Sequence, residues 1–310
     1  MVYDLIIVGG GPGGYTAALY GARAGMQVLV VERLAPGGQM AQTHQVDNYP
    51  GFPEGVNGYA LGQNMYEQAK RFGAQSVFAE VKNLDLQKTP RVVETDRGSF
   101  YGRTVILATG ADPRKLELPR EEALTGHGVS YCAQCDGMFY RGRTVAVVGG
   151  GNTALTDALL LSRVAQKVYL IHRREDFRAD SVTQRALEQA ENVEFLTNRA
   201  VTELLGEEKL TGLVLTHVHT GAKEQISCDG VFIAIGRKPA STLASQQLAL
   251  DEKGYIRAGE DTQTSIPGVY AVGDVRTKPV RQIVTAIADG AAAVHAAESY
   301  LAQNGAVSSR

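Results

Sequence analysis

The stretch Asp4-Leu5-Ile6-Ile7-Val8-Gly9-Gly10-Gly11-Pro12-Gly13-Gly14 decides the fold. The run from Asp4 to Val8 is short and almost wholly apolar, the pattern of a strand buried on both faces. It delivers the chain into G-x-G-x-x-G at Gly9, Gly11 and Gly14. Tyr15 to Ala24 then reads as a small-residue helix, and Val28-Leu29-Val30-Val31 as a second strand ending on Glu32. Each glycine has a task in such a unit. Gly9 allows the tight turn, Gly11 lets the backbone approach a pyrophosphate, and Gly14 lets helix and strand pack closely. The helix N-terminus offers unpaired N–H groups to phosphate, and the acid at the second strand's tip accepts hydrogen bonds from an adenosine ribose. A glycine turn alone often serves only to join elements. Here strand, turn, helix, strand and acid fall in order, which predicts a dinucleotide site for NAD or FAD.

The same unit occurs again. Thr144-Val145-Ala146-Val147-Val148 is the strand, Gly149, Gly151 and Ala154 form G-x-G-x-x-A, and Asn152 to Ala165 reads as the helix. Val168-Tyr169-Leu170-Ile171 is the next strand. Counting 23 residues from the first glycine reaches Glu32 in one unit and His172 in the other. The acid is replaced by His172-Arg173-Arg174, with Arg178 one turn further on. Exchanging a carboxylate for guanidinium groups suits a 2′-phosphate, which arginine binds bidentately. The alternative is a solvated basic patch, but the strand-tip position favours NADPH. Two units with different ribose chemistry imply two dinucleotides. Gly268 to Asp274, an apolar strand stopping at Gly273-Asp274, supports FAD in the first by aiming Asp274 at ribityl hydroxyls or phosphate. Ordinary turn chemistry is the competing reading of that dipeptide.

Val105 to Ala111 and Val231 to Arg237 are also alike, each an apolar strand ending in glycine and soon followed by Pro113 or Pro239. They close two parallel-sheet domains. The expected architecture is α/β, with two Rossmann-like three-layer domains, the second inserted in the first. Residues 1–112 plus 240–310 form an FAD-binding domain and residues 113–239 an NADPH-binding domain. An alanine-rich helix from about Ile283 to Leu301 follows Arg281-Gln282-Ile283, whose backbone N–H groups either face the flavin ring or simply pack. Asn304 to Arg310 reads as a frayed tail.

Whole-chain properties exclude other classes. With 310 residues, 44% hydrophobic and 21% charged, the composition is that of a globular protein of one or two domains. A net charge of −2 gives no reason to expect nucleic acid or an anionic membrane as partner. No apolar run reaches the roughly 18 residues of a membrane span. The N-terminus enters a strand at once, without room for a signal peptide, so the expected location is the cytoplasm.

Two of the three cysteines form Cys132-Ala133-Gln134-Cys135, followed by Asp136-Gly137. Structural zinc needs about four ligands. Cys228, His127, His172 and the pair His217 and His219, which alternate along an expected strand, all lie outside zinc spacing, so no metal is expected. Inert thiols remain an alternative for the pair. A redox pair is favoured, because C-x-x-C closes a disulfide across one turn and stabilises a low-pKa thiolate. Asp136 is adjacent for proton transfer, and Cys228 reads as a buried hydrophobe. Electrons then run from NADPH through FAD to Cys132–Cys135, and from there by exchange to an outside disulfide.

These residues resemble the bacterial-type, low-molecular-weight thioredoxin reductases over essentially the full length. The matches are Gly9 to Gly14, Asn48-Tyr49-Pro50-Gly51-Phe52, Cys132 to Gly137, His172-Arg173-Arg174 with Phe177-Arg178, and Gly273-Asp274. The resemblance implies an NADPH-dependent thioredoxin-disulfide reductase, a homodimer with tightly bound FAD and thioredoxin as acceptor. It implies Cys135 next to the flavin, Cys132 as the exchange thiol and Asp136 as general acid. FAD contacts are implied for Gly9, Gly11, Pro12, Gly14, Glu32, Arg33, Gly38, Gln39, Asn48 and Val81. Thr109, Gly110, Gly273, Asp274, Arg281, Gln282 and Ile283 complete that set. NADPH contacts are implied for Gly149, Gly151, Asn152, Thr153, Ala154, His172, Arg173, Arg174, Arg178, Ile235 and Gly236. Asn152, Thr153 and Asp157 depart from the commonest family pattern but leave the phosphate turn intact. The basic quartet from His172 argues against an offshoot that has lost NADPH. Cysteines and NADPH turn share one domain, so domain rotation about 111–113 and 236–239 is expected to present disulfide and nicotinamide in turn to the flavin. A related flavoprotein acting on a small disulfide or dithiol, and a non-catalytic NADPH sensor, are the rival readings.

Overall fold

β1 (Val2–Val8) enters α1 (Pro12–Arg23) through the glycine turn. The helix starts three residues ahead of the small-residue stretch because Pro12, in the first turn, sacrifices no intrahelical hydrogen bond. There follow β2 (Val28–Glu32), α2 (Gly58–Arg71), β3 (Gln75–Phe78), β4 (Val81–Asp85), β5 (Arg91–Thr95), β6 (Gly98–Leu107) and β7 (Ala111–Pro113). The next segments are β8 (Val129–Ser130), α3 (Ala133–Asp136), β9 (Thr144–Val148), α4 (Asn152–Ser162), β10 (Lys167–Ile171) and α5 (Ser181–Glu188). Then come β11 (Val193–Leu196), β12 (Arg199–Leu205), β13 (Gly212–His217), β14 (Lys223–Ser227) and β15 (Gly230–Ile233). β16 (Arg237–Pro239), β17 (Val269–Ala271) and α6 (Ile283–Gln303) complete the chain. This computed structural model describes residues 1–305 apart from His44 and Asp180.

The chain divides into two units, Met1–Asp112 with Lys238–Arg310, and Pro113–Arg237. In the first, β3, β2, β1 and β6 lie parallel in that order, and β17 pairs with the end of β6. β4 and β5 form an antiparallel extension on the start of β6. Val8 is in register with Val31 on one side and Leu107 on the other, so Gly9, Glu32 and Ala108 emerge together at the carboxyl edge. Ile6 and Val105 pack into the core on one face, Leu5 and Ile7 into the core against α1 and α6 on the other. That two-sided burial explains the continuous apolar run, each such side chain contributing about 1.5–3 kcal/mol.

The second unit repeats the plan. β11, β10, β9, β15 and β8 are parallel in that order, with Val148 in register with Ile171 and Ile233. An antiparallel β12–β13–β14 sheet accompanies it. α4 buries Ala154, Leu155, Ala158 and Leu161, one helical face. It ends at Ser162, short of Ala165, where the chain turns to begin β10.

Two further expectations are corrected. His219 is not on a strand with His217: β13 ends at His217, whose Nδ1 accepts from the N–H groups of His219 and Thr220 and so closes a turn. The start of the expected tail is ordered, since Asn304 Nδ2 donates to the Tyr300 carbonyl at 2.8 Å, while residues 306–310 lie outside the described residues.

Candidate active site

In the first unit the turn between β1 and α1 is open on its outer face. A Cβ built on Gly11 meets nothing within 4 Å, whereas one on Gly14 collides with the Gly9 carbonyl. Gly11 is the N-cap of α1 and supplies no side-chain acceptor, so the helix's first N–H groups are left for an outside anion. Glu32 accepts from Gly10 N–H at 2.7 Å and from Leu34 N–H at 2.9 Å. A carboxylate has about four acceptor sites, so these bonds orient Glu32 and still leave room for ribose hydroxyls. The chain returns to this turn at Gly37, which donates to the Gly10 carbonyl at 2.8 Å, and Gly38 lies beside Gly11. The cradle therefore fits a dinucleotide.

Other implied flavin residues are drawn together by hydrogen bonds within this unit. Gln39 Nε2 donates to the Ala111 carbonyl, Thr109 Oγ1 to the Ala240 carbonyl, and Asn48 Nδ2 to Gln282 Oε1 at 3.1 Å. The N-terminus of α6 carries a capping box between Gln282 and Thr285, so two of its donors are already used. Arg33 is exposed, and Val81 opens β4 two residues after Ala79, whose N–H donates to the Glu32 carbonyl. Arg281 stacks on Tyr255 with its guanidinium 4.0 Å from the ring centre.

A buried cluster that sequence reading missed holds the Gly273-Asp274 turn. Asp289 accepts from Gly273 N–H at 2.8 Å, from Arg276 through two guanidinium nitrogens at 2.9 and 2.7 Å, and from Lys278 Nζ at 2.7 Å. Burial pushes its carboxyl up, but the bonds from Arg276 and Lys278 outweigh that and hold it below the ordinary range. The available signal was Asp289 itself, the first acid of α6, preceded in the sequence by Arg276 and Lys278.

In the second unit Cys132 and Cys135 form a disulfide with Cα atoms 5.3 Å apart. Cys132 caps the short α3 in an extended conformation, and its sulfur accepts from Cys135 N–H at 3.2 Å. Ser130, buried at the end of β8, accepts from Cys132 N–H at 3.1 Å and donates to Asp136 Oδ2 at 2.6 Å. Burial raises the Asp136 pKa, and the Ser130 hydrogen bond opposes it without cancelling it. α3 packs on α4, the helix that begins at the nucleotide turn. Cys228 is buried, and burial pushes its thiol up to about 12, leaving it chemically inert.

The nucleotide turn of this unit has the same open face, since a Cβ on Gly151 also meets nothing within 4 Å, and Gly151 likewise caps α4 without a side-chain acceptor. His172 lies flat on Gly150, where any Cβ would collide with its ring, and stacks on Phe177 at 5.3 Å. Burial, then the charges of Arg174 and Arg173, push its pKa down. His172 is thus a neutral packing surface, and the expected basic quartet is a trio of arginines. Arg178 is not one helical turn along, because residues 173–176 form bends rather than a helix. Its N–H returns to the Gly150 carbonyl at 2.7 Å and brings the residue back to the nucleotide turn. Asn152 and Thr153 open α4 as exposed residues, and Ile235 and Gly236 are exposed past β15. Among the described residues no cluster of His, Cys, Asp and Glu is suited to a metal ion, and no helix is long and apolar enough to cross a membrane.

A family model for pyridine nucleotide-disulphide oxidoreductases matches residues 3–290. The chain is 42% identical to the thioredoxin reductase of Bacillus subtilis over 97% of its own length and 95% of the relative's. It is 44% identical to that of Mycolicibacterium smegmatis over 97% of each. The solved thioredoxin reductase of Streptococcus pyogenes superposes with a TM-score of 0.90 at 39% identity, covering 97% of this chain and 99% of that one. The chain belongs to the pyridine nucleotide-disulphide oxidoreductases, within their thioredoxin reductase branch.

Proposed function

We propose that this protein is an NADPH-dependent flavoprotein that reduces the disulfide of thioredoxin. The observation that carries the reading is the Cys132–Cys135 disulfide, with Asp136 beside it, in the same unit as a dinucleotide turn whose ribose acid is replaced by arginines. The first unit's turn, with Glu32, Gly38, Asn48, Thr109 and Asp274, holds FAD, and the second, with Arg173, Arg174 and Arg178, holds NADPH. When bound, the flavin supplies the route by which a hydride from NADPH becomes two electrons for the disulfide.

The chain's own residues carry the exchange. Cys135 N–H aims at Cys132 Sγ and favours a thiolate there, which supports Cys132 as the attacking sulfur. That thiolate attacks one acceptor sulfur; the acceptor S–S bond breaks, and the released thiolate takes a proton from Asp136. The Asp136 carboxylate then takes the Cys135 proton while the Cys135 sulfur attacks Cys132 Sγ. The mixed disulfide breaks, and the second acceptor thiolate leaves with that proton. The acceptor gains two electrons and two protons, and the Cys132–Cys135 bond re-forms. Met138 and Phe139, exposed just after the cysteines, supply an apolar surface suited to a protein acceptor.

The purified protein is expected to show a flavin spectrum and to oxidise NADPH only when oxidised thioredoxin is supplied. Equal oxidation with a small disulfide alone favours the rival flavoprotein, and no flavin with no turnover sinks both. We further propose a cytoplasmic homodimer whose units rotate between half-reactions. A cross-link locking the units should stop multiple turnovers, and full activity in the locked protein rejects rotation.

A further inference from the structure

We propose that Ser130 is a positioning residue for thiol exchange, fixing which oxygen of Asp136 carries the exchanged proton. The inference rests on the redox reading of the cysteine pair and adds a residue to it. Ser130 is 5% exposed, and its hydroxyl is committed on both sides. It accepts from Cys132 N–H at 3.1 Å, so its own hydrogen is free to point only at an acceptor. Two acceptors are within range, Asp136 Oδ2 at 2.6 Å and the Cys132 carbonyl at 3.5 Å, and the shorter, charge-assisted bond wins. Oδ2 is thereby occupied as an acceptor in either protonation state. The exchanged proton then resides on Oδ1, and the carboxyl cannot rotate to present the other oxygen without breaking a short bond. The same hydroxyl ties this carboxyl to the backbone of Cys132, so acid and exchange thiol are registered against one another through one side chain.

Because the Ser130 bond favours the carboxylate, its loss raises the Asp136 pKa further. Tyr140 also feels the charge of Asp136. Burial first, and then the Asp136 charge, push its phenol up, so it stays neutral through the neutral range.

The test compares wild type, Ser130→Ala, Ser130→Thr, Asp136→Asn and the Ser130→Ala/Asp136→Asn pair as flavin-loaded enzymes. Two readouts against pH are taken: kcat and KM for thioredoxin reduction, and the ultraviolet thiolate absorbance of the reduced protein, which needs no acceptor. Ser130→Ala should move the limb governed by Asp136 to higher pH by about one to two units, the worth of a hydrogen bond to a charged group. It should lower kcat about 10-fold, a fraction of what a general acid supplies, with the thioredoxin KM unchanged. Ser130→Thr, which keeps the hydroxyl, should restore both. Asp136→Asn should remove the limb, and adding Ser130→Ala to it should change nothing more. The proposal falls if the limb stays put in Ser130→Ala, moves as far with threonine, or survives Asp136→Asn. If wild type fails to reduce thioredoxin, the functional reading falls alone, and the thiolate titration still decides the role of Ser130.

Discussion

The two nucleotide turns superimpose in sequence with an offset of 140 residues, Gly9 on Gly149, Gly14 on Ala154 and Glu32 on His172. Their backbones solve the same problem in the same way. A Cβ on Gly9 would collide with the Ala108 carbonyl and one on Gly149 with the Ala234 carbonyl, each the residue just past the neighbouring strand. In both, the chain returns after the second strand to bond the middle glycine's carbonyl, from Gly37 in one unit and Arg178 in the other. The differences lie in side chains. Glu32 faces Gly10 with a carboxylate where His172 covers Gly150 with a neutral ring. The return segment carries two glycines in the first unit and an arginine in the second. On the fingerprint helix, buried Ala17 in the first unit is matched by Asp157 in the second. The turn is thus a fixed anion cradle, and what lies on it decides which nucleotide fits.

The largest expected effect comes from forcing one turn to resemble the other at the helix–strand contact. Gly14→Ala puts the second unit's methyl into the first, where a Cβ would collide with the Gly9 carbonyl. Overpacking against backbone should destabilise the protein by about 3 kcal/mol and lose flavin on purification. The reverse exchange, Ala154→Gly, should be mild. Denaturant unfolding and the flavin-to-protein absorbance ratio check both, and a flavin-replete Gly14→Ala breaks the equivalence. Next in size is the ribose end. Replacing Arg173 and Arg174 together with alanine removes two guanidinium groups, each worth about 1.5–3 kcal/mol when bonded to phosphate. The NADPH KM should rise by about 100-fold or more, with NADH affected little. Equal losses for both nucleotides reject these arginines as 2′-phosphate ligands.

How far the sequence could be read follows from the same comparison. Strand, glycine turn and helix were legible twice because buried parallel strands and close-packed turns tolerate few residue types. The disulfide was legible from spacing and context. Ser130 and Asp289 were not, since each acts through a hydrogen bond to a residue whose position depends on the fold. Nor was the neutrality of His172: adjacent arginines suggested a fourth cation, but burial under Phe177 and those same arginines disfavour its charge. Arg178 was found by its identity and misplaced along the chain, because the bends at 173–176 leave no periodic signal.

The smallest effect concerns the residue that replaces Ala17 in the second helix. Burial raises the Asp157 carboxyl to about 7, partly offset by the charge of Arg237. The folded state therefore keeps a proton that the unfolded chain releases near pH 4. Stability is not penalised below that value, falls as the pH rises from about 4 to about 7, and carries the whole penalty above. Allowing for partial exposure, that penalty is about 2 kcal/mol. Asp157→Asn, or Asp157→Ala to match the first unit, should flatten this slope, gaining stability at pH 8 and nothing at pH 4. Urea unfolding across that range checks it. A gain that is equal at both ends assigns the effect to helix propensity, and leaves the two helices equivalent in charge as well as in backbone.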